Sequence, residues 1–176
     1  MPELIVVTGA PGLGKSTVAA LVCDAFEPAA LVEGDAFFAF LRRGAVDPWL
    51  PASQEQNTAV IEAAAAASGR LAEHCTVVYD GVLGPWFTDA FLAAAGLERV
   101  HYAVLSAPLA TCLARVAGRV GHGFTDHEAA TAMWRQFEAS PIPARHRVDA
   151  TAPAPEVAAA ILHGVAQGSL LLPRRV

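Results

Sequence analysis

The sequence predicts a single α/β domain built on a parallel sheet, and three observations carry that reading. Short β-branched runs alternate with longer alanine-rich stretches of helical spacing, the sequence form of repeated βαβ units. The first run, Leu4-Ile5-Val6-Val7, is apolar without alternation, as expected of a strand buried on both faces. The chain has 176 residues, 54% hydrophobic and only 16% charged, so disorder is excluded and one sizeable core is available.

The elements follow in order. After the first strand, Gly14 to Phe26 has helical spacing. Ala30 to Glu33 reads as a second short strand, followed by a helix through Phe37, Phe38, Phe40 and Leu41. Asp47-Pro48-Trp49-Leu50-Pro51 breaks the regular structure. Ser53 with Gln56 three residues on predicts a capping box that opens a long helix to about Arg70. Cys75 to Tyr79 is the third strand, closing in Asp80-Gly81. Val100 to Leu105 is the fourth, and Pro108 to Arg119 the next helix. Thr125 with Glu128 predicts a second capping box, for a helix to about Glu138. Val148 marks a weak fifth strand before a last helix from Pro155 to about Gln167. No repeat or linker divides residues 1–176, so they read as one domain.

Composition narrows the function classes. A net charge of −5 argues against general nucleic-acid binding, which needs a basic face. The longest uncharged stretch, Val157 to Pro173, contains His163, Gly164, Gln167, Gly168 and Ser169, and does not read as a membrane span. Cys23, Cys75 and Cys112 lie in apolar segments and read as reduced core residues. With no basic leader after Met1, a cytoplasmic location is expected. Eleven of the twelve basic residues are arginine, and the single lysine is Lys15.

That lysine stands in Gly9-Ala10-Pro11-Gly12-Leu13-Gly14-Lys15-Ser16-Thr17, which matches G-x-x-x-x-G-K-[ST] directly between a strand and a helix. The glycines let successive N–H groups turn inward at phosphate oxygens, and the helix adds its amino-terminal dipole. Lys15 is then the counter-charge of the β and γ phosphates, and the Ser16 hydroxyl a ligand for Mg²⁺. A glycine-rich turn that binds nothing is the bland alternative, and the strand-loop-helix context counts against it. The chain is expected to bind a nucleoside triphosphate.

Beyond this loop, Val32-Glu33-Gly34-Asp35, Val77-Val78-Tyr79-Asp80-Gly81 and Leu113-Ala114-Arg115 through Arg119-Val120-Gly121-His122 resemble the small P-loop kinases of the nucleoside monophosphate kinase type. Gluconate kinase, shikimate kinase and chloramphenicol phosphotransferase relatives are the most similar. The first and third segments, with Gln136-Phe137-Glu138, look most like gluconate kinase. The resemblance implies a P-loop NTPase fold with strand order 2-3-1-4-5, a small helical lid over about residues 119–127, ATP with Mg²⁺, and phosphoryl transfer to a small acceptor.

Asp35 lies just past the second strand, at the sheet edge where ligands bind. Phosphoryl transfer to a hydroxyl needs a carboxylate that orients the nucleophile and takes its proton, and the resemblance puts an aspartate there. The competing reading is a plain helix cap. Asp80, closing an apolar strand, resembles an element that holds Mg²⁺ or positions the acceptor, so the base is Asp35 or Asp80. Arg115 and Arg119 share a helix face leading into the lid-like segment Val120-Gly121-His122-Gly123-Phe124, which points both at the transferring group. His122 reads as a lid contact.

For the acceptor, Phe38, Trp49, Asn57 and Trp86 join Asp35 and Asp80 as candidate contacts. Gluconate and shikimate are anionic and call for arginines, whereas Asp35 to Trp86 offers only Arg42, Arg43 and Arg70 beside Phe37, Phe38, Phe40, Trp49 and, at its end, Trp86-Phe87. An aromatic pocket with amides and a carboxylate suits a neutral, partly apolar acceptor bearing a hydroxyl, such as an antibiotic-like metabolite. Arg42 or Arg43 turned inward restores a sugar acid, and Phe37, Phe40 and Trp49 read equally well as core. A slow regulatory ATPase and a polynucleotide-end kinase are the competing functions. The first lacks a partner surface in the sequence, and the second lacks a basic run.

Overall fold

The computed structural model describes residues 3–118 and 127–174. The strands are β1 (Leu4–Thr8), β2 (Ala29–Glu33), β3 (Thr76–Asp80), β4 (Arg99–Ser106), β5 (Arg147–Asp149) and β6 (Leu171–Pro173). The helices are α1 (Lys15–Cys23), α2 (Gly34–Phe38), α3 (Gln54–Leu71), α4 (Thr88–Ala95), α5 (Leu109–Ala117), α6 (His127–Ala139) and α7 (Ala154–Ala166). Five strands run parallel in the order β2-β3-β1-β4-β5, as the resemblance implies.

Every residue of β1 and β3 is buried, which is why their sequences are unbroken apolar runs. β2 lies at the edge of the sheet and is only partly buried. Parallel strands require crossover connections, which α1, α2–α3, α4 and α5–α6 supply in turn, and α1 packs on α7 and α3 on α4. The alanine run of α3 lets α4 come close. A Cβ on Gly69 would lie 2.9 Å from the Cα of Ala95.

Four features differ from the sequence expectation. A sixth strand, β6, pairs antiparallel with residues 99–101 of β4, while β5 takes residues 104–106. Between them the Tyr102 N–H donates to the Leu170 carbonyl at 2.8 Å, and the Tyr102 carbonyl faces His146 Nδ1 at 3.0 Å. α2 ends at Phe38, before Phe40 and Leu41. No capping box forms at Ser53. Its hydroxyl donates to the carbonyls of Pro48 and Leu50, and Gln56 reaches back to the backbone of Val46. Here a wandering loop offers closer partners than the helix terminus does. Of the three cysteines only Cys112 is fully buried. Cys23 and Cys75 are half-buried, and all three are free.

The second capping box rests on Thr125, and the lid on residues 119–127. Apart from His127, which opens α6, these positions lie outside the described residues, as do Arg119 and His122. No helix among the described residues is long and apolar enough to cross a membrane.

Candidate active site

β1 stops at Thr8, and the next six residues turn sharply before α1 begins at Lys15. Gly9, Gly12 and Gly14 adopt φ of +139°, +85° and +79°, a region L side chains avoid. Two of them are also crowded. A Cβ on Gly9 would sit 2.6 Å from the Leu105 carbonyl oxygen, and one on Gly12 would sit 2.5 Å from that of Cys112. The loop is thereby seated against the end of β4 and against α5. α1 has no side-chain cap and no acid in its first turn, so its leading N–H groups are left for an anion. Lys15 Nζ donates to the Ala10 carbonyl at 3.2 Å, folding back over the loop. Ser16 and Thr17 are exposed beyond it.

The register Glu33↔Asp80 and Val7↔Asp80 brings the ends of β2, β1 and β3 together. Asp80 is buried, and burial pushes its carboxyl above the usual range. The Ser16 hydroxyl and the Lys15 charge pull the other way, and Asp35 adds to the rise. Its Oδ1 is sealed from solvent without a hydrogen-bond partner among the described residues. A buried anionic oxygen left unpaired beside a serine hydroxyl is the donor set a hard divalent cation takes. Ser16 and Asp80 therefore fit Mg²⁺, and the glycine-lined loop fits phosphate.

Asp35 stands one residue inside α2, whose N-cap is Glu33, so capping is not its task. It is exposed and, with Lys15, lines a cavity of about 1040 Å³. Of the other residues expected to meet an acceptor, Phe38, Trp49, Asn57 and Trp86 also line it. Asp80 does not: it is tucked behind the wall, toward Ser16. Phe37 and Phe40 pair edge-to-face at 5.4 Å outside the lining.

Local bonding sets each wall. Asn57 Nδ2 donates to the Pro48 carbonyl at 2.7 Å and to Ser53 Oγ at 2.9 Å, which holds the loop carrying Trp49. The loop after β3 is pinned at Leu83. Its N–H donates to Thr8 Oγ1 at 2.7 Å, and its carbonyl accepts from the Tyr102 hydroxyl at 2.7 Å. Three residues on, the Trp86 indole lies over Gly84 and 5.5 Å from the Phe137 ring.

α6 and the residue that follows it contribute a wall that the acceptor reading missed: Ala129, Met133, Gln136 and Ser140 all line the cavity. Their spacing of four, three and four residues is one helix face, a signal present in the sequence. Tyr79 and Phe87 were missed as well. Arg42 and Arg43 are exposed and off the wall, leaving Lys15 and Asp35 as the only charged side chains that line it among the described residues. Arg115, expected beside Arg119 on the phosphoryl group, instead donates from Nη1 to the Ala150 carbonyl at 2.9 Å and does not reach the cavity. It fastens α5 to the segment after β5.

Comparison with known proteins adds a family and a set of structural neighbours. Residues 4–141 match the profile of a family described as an AAA domain. A gluconokinase from Sinorhizobium meliloti 1021 has a similar structure, with a TM-score of 0.68 at 21% identity over 96% of this chain and 93% of that one. A tunicamycin resistance protein from Deinococcus radiodurans gives 0.67 at 19%, over 98% and 99%. A sugar kinase from Janibacter sp. HTCC2649 gives 0.68 at 20%, over 97% and 96%. At these identities the likeness is one of fold. No curated protein matches the sequence significantly.

Proposed function

Given that the chain belongs to the AAA domain family matched over residues 4–141, we propose that it is an ATP-dependent phosphotransferase. It moves a γ-phosphoryl group to a hydroxyl of a neutral, partly apolar small molecule. One observation carries the reading: Lys15 and Asp35 line a single cavity whose remaining walls are aromatic, apolar, amide or hydroxyl.

In this proposal residues 9–17 and Lys15 hold the phosphates of ATP, and Ser16 and Asp80 hold Mg²⁺. When bound, Mg·ATP supplies the phosphoryl group and neutralises the charge of its transfer. Asp35 orients the acceptor hydroxyl and takes its proton, which gives it the base role over Asp80. Phe38, Trp49 and Trp86 clasp the apolar body of the acceptor, and Asn57 keeps Trp49 in place. Arg119 is assigned to the transferring group on its position in the sequence, and Arg115 to holding α5.

A sugar acid fits less well, because an anionic acceptor next to Asp35 would lack an arginine partner among the described lining residues. ADP release from Mg·ATP with benzyl alcohol, uridine, sorbitol and gluconate as acceptors tests the proposal. Stimulation by a neutral alcohol, lost in Asp35→Asn, is expected. Stimulation by gluconate alone would return the sugar-acid reading, and stimulation that survives Asp35→Asn would remove Asp35 as the base.

A further inference from the structure

Tyr79 is 2% exposed, packed edge-on against Phe91 of α4 with ring centroids 5.0 Å apart. Two glycines make room for its phenol. A Cβ on Gly34 would lie 2.5 Å from Tyr79 Cζ, and one on Gly81 would lie 3.0 Å from the hydroxyl oxygen. Neither glycine has positive φ, so what each supplies is space. They are the chain neighbours of Asp35 and Asp80, so the phenol lies against the backbone next to both aspartates.

The hydroxyl makes no hydrogen bond among the described residues, yet it is not among the polar atoms sealed from solvent, and Tyr79 is part of the cavity wall. Buried tyrosine hydroxyls ordinarily find a partner. A phenol is a neutral hydrogen-bond donor near neutral pH, and this one opens on a cavity that Asp35 also lines.

We propose that the Tyr79 hydroxyl donates a hydrogen bond to the attacking oxygen of the phosphoryl acceptor. The inference rests on the kinase reading above. An alcohol oxygen carries one proton and two lone pairs. Asp35 takes the proton, one lone pair forms the new O–P bond as the bond from phosphorus to the bridging oxygen of ATP breaks, and Tyr79 holds the second. Tyr79 keeps its own proton throughout, so it orients the oxygen without entering the proton balance. A primary amine has a single lone pair and is thereby disfavoured as an acceptor.

The test is Mg·ATP turnover by the full chain, with water and with benzyl alcohol as acceptors, in wild type and Tyr79→Phe. Loss of one oriented hydrogen bond is expected to lower turnover about tenfold in Tyr79→Phe, with Mg·ADP affinity and melting temperature unchanged. Wild-type turnover in Tyr79→Phe overturns the inference, as does a fall in turnover matched by a fall in melting temperature. Unchanged turnover in Tyr79→Phe with loss in Asp35→Asn removes this inference alone, whereas unchanged turnover in Asp35→Asn removes the reading beneath it.

Discussion

Gly12 and Gly14 offer a controlled comparison, because both have φ near +80° but only one is crowded. Gly14→Ala meets no atom within 4 Å, so its cost is the backbone conformation alone, about 1–2 kcal/mol. Gly12→Ala carries the same cost and also drives its Cβ to 2.5 Å from the Cys112 carbonyl oxygen and 3.0 Å from Val116 Cγ2. Overlap with helix backbone cannot be relieved by a rotamer change, and overpacking of this kind costs about 1–3 kcal/mol more. The totals are about 1–2 and about 2–5 kcal/mol, against a domain stability of about 5–15 kcal/mol. At about 2–4 °C per kcal/mol for a domain of this size, Gly14→Ala should melt about 2–8 °C and Gly12→Ala about 4–20 °C below wild type. Circular dichroism melts of the three proteins, without nucleotide, read the difference. Adding Val116→Ala to Gly12→Ala should recover little, since the nearer atom is a backbone oxygen. Equal melting temperatures for the two glycine variants would refute the claim that the loop is seated against α5.

Asp80 and His146 give opposite pH signatures. The raised Asp80 carboxyl binds its proton more tightly in the fold, so its stabilising contribution is present below the ordinary carboxylate range and lost as pH rises. At neutral pH, Asp80→Asn should therefore melt no lower than wild type without ligands, yet lose the extra stabilisation that Mg²⁺ adds to ADP. A retained Mg²⁺ effect in thermal shift would show that another group holds the metal. His146 is fully buried and held below its ordinary pKa by desolvation. Its Nδ1 must donate, because the Tyr102 carbonyl only accepts, and its Nε2 has no partner among the described residues. Protonation there would bury an unpaired cation, so stability present above about pH 6.5 should fall as the solution acidifies. His146→Gln should flatten urea-unfolding stability between pH 7 and 5, and an unchanged slope would place the acid sensitivity elsewhere. Gln56→Ala, which cuts both ties to Val46, should raise acceptor KM several-fold, as the loop bearing Trp49 loosens, and leave ADP affinity alone. A matching loss of ADP affinity would mean that the loop also supports the phosphate side.

What was legible in the sequence is what repeats or is chemically singular. Leu4-Ile5-Val6-Val7 and Cys75 to Tyr79 announce strands covered on both faces, and the glycines before Lys15 announce backbone that L side chains cannot follow. Asp35 and Asp80 were legible as a pair because Asp80 closes a strand and Asp35 lies just past one. Their division of labour was not, since it depends on Asp80 turning behind the wall toward Ser16 while Asp35 faces the cavity. The capping box at Ser53 was a correct local pattern overruled by the nearer carbonyls of Pro48 and Leu50. Tyr79 was hidden by its place in an apolar run, where it reads as core. Its meaning comes from the absent side chains of Gly34 and Gly81. Arg115 looked like a phosphate contact because periodicity gives a face and says nothing of what stands opposite it, here the Ala150 carbonyl.

The two halves of the site are built by different physics. The phosphate half is made of strand ends, a loop held by backbone contact and a helix terminus, so its geometry follows from the sheet order. The proposed acceptor half is made of residues 39–53, held by side-chain-to-backbone bonds at Ser53, Gln56 and Asn57, the turn at Gly84, held at Leu83, and one face of α6, which Trp86 meets at the Phe137 ring. Such bonds are worth about 0.5–1.5 kcal/mol each, and those at Ser53, Gln56 and Asn57 can be exchanged without disturbing β1, β3 or β4, whereas Leu83 is tied to Thr8 of β1 and Tyr102 of β4. A gluconokinase and a tunicamycin resistance protein share this fold. For this chain the acceptor must be argued from the lining itself: Trp49, Trp86 and Phe38 around Asp35, with no arginine among the described residues there. An anion entering that space would leave water for a carboxylate neighbour, with Lys15, which the proposal gives to the phosphates, as the one cation lining it among the described residues. A neutral alcohol would exchange water for aromatic faces and leave its one reactive proton with Asp35.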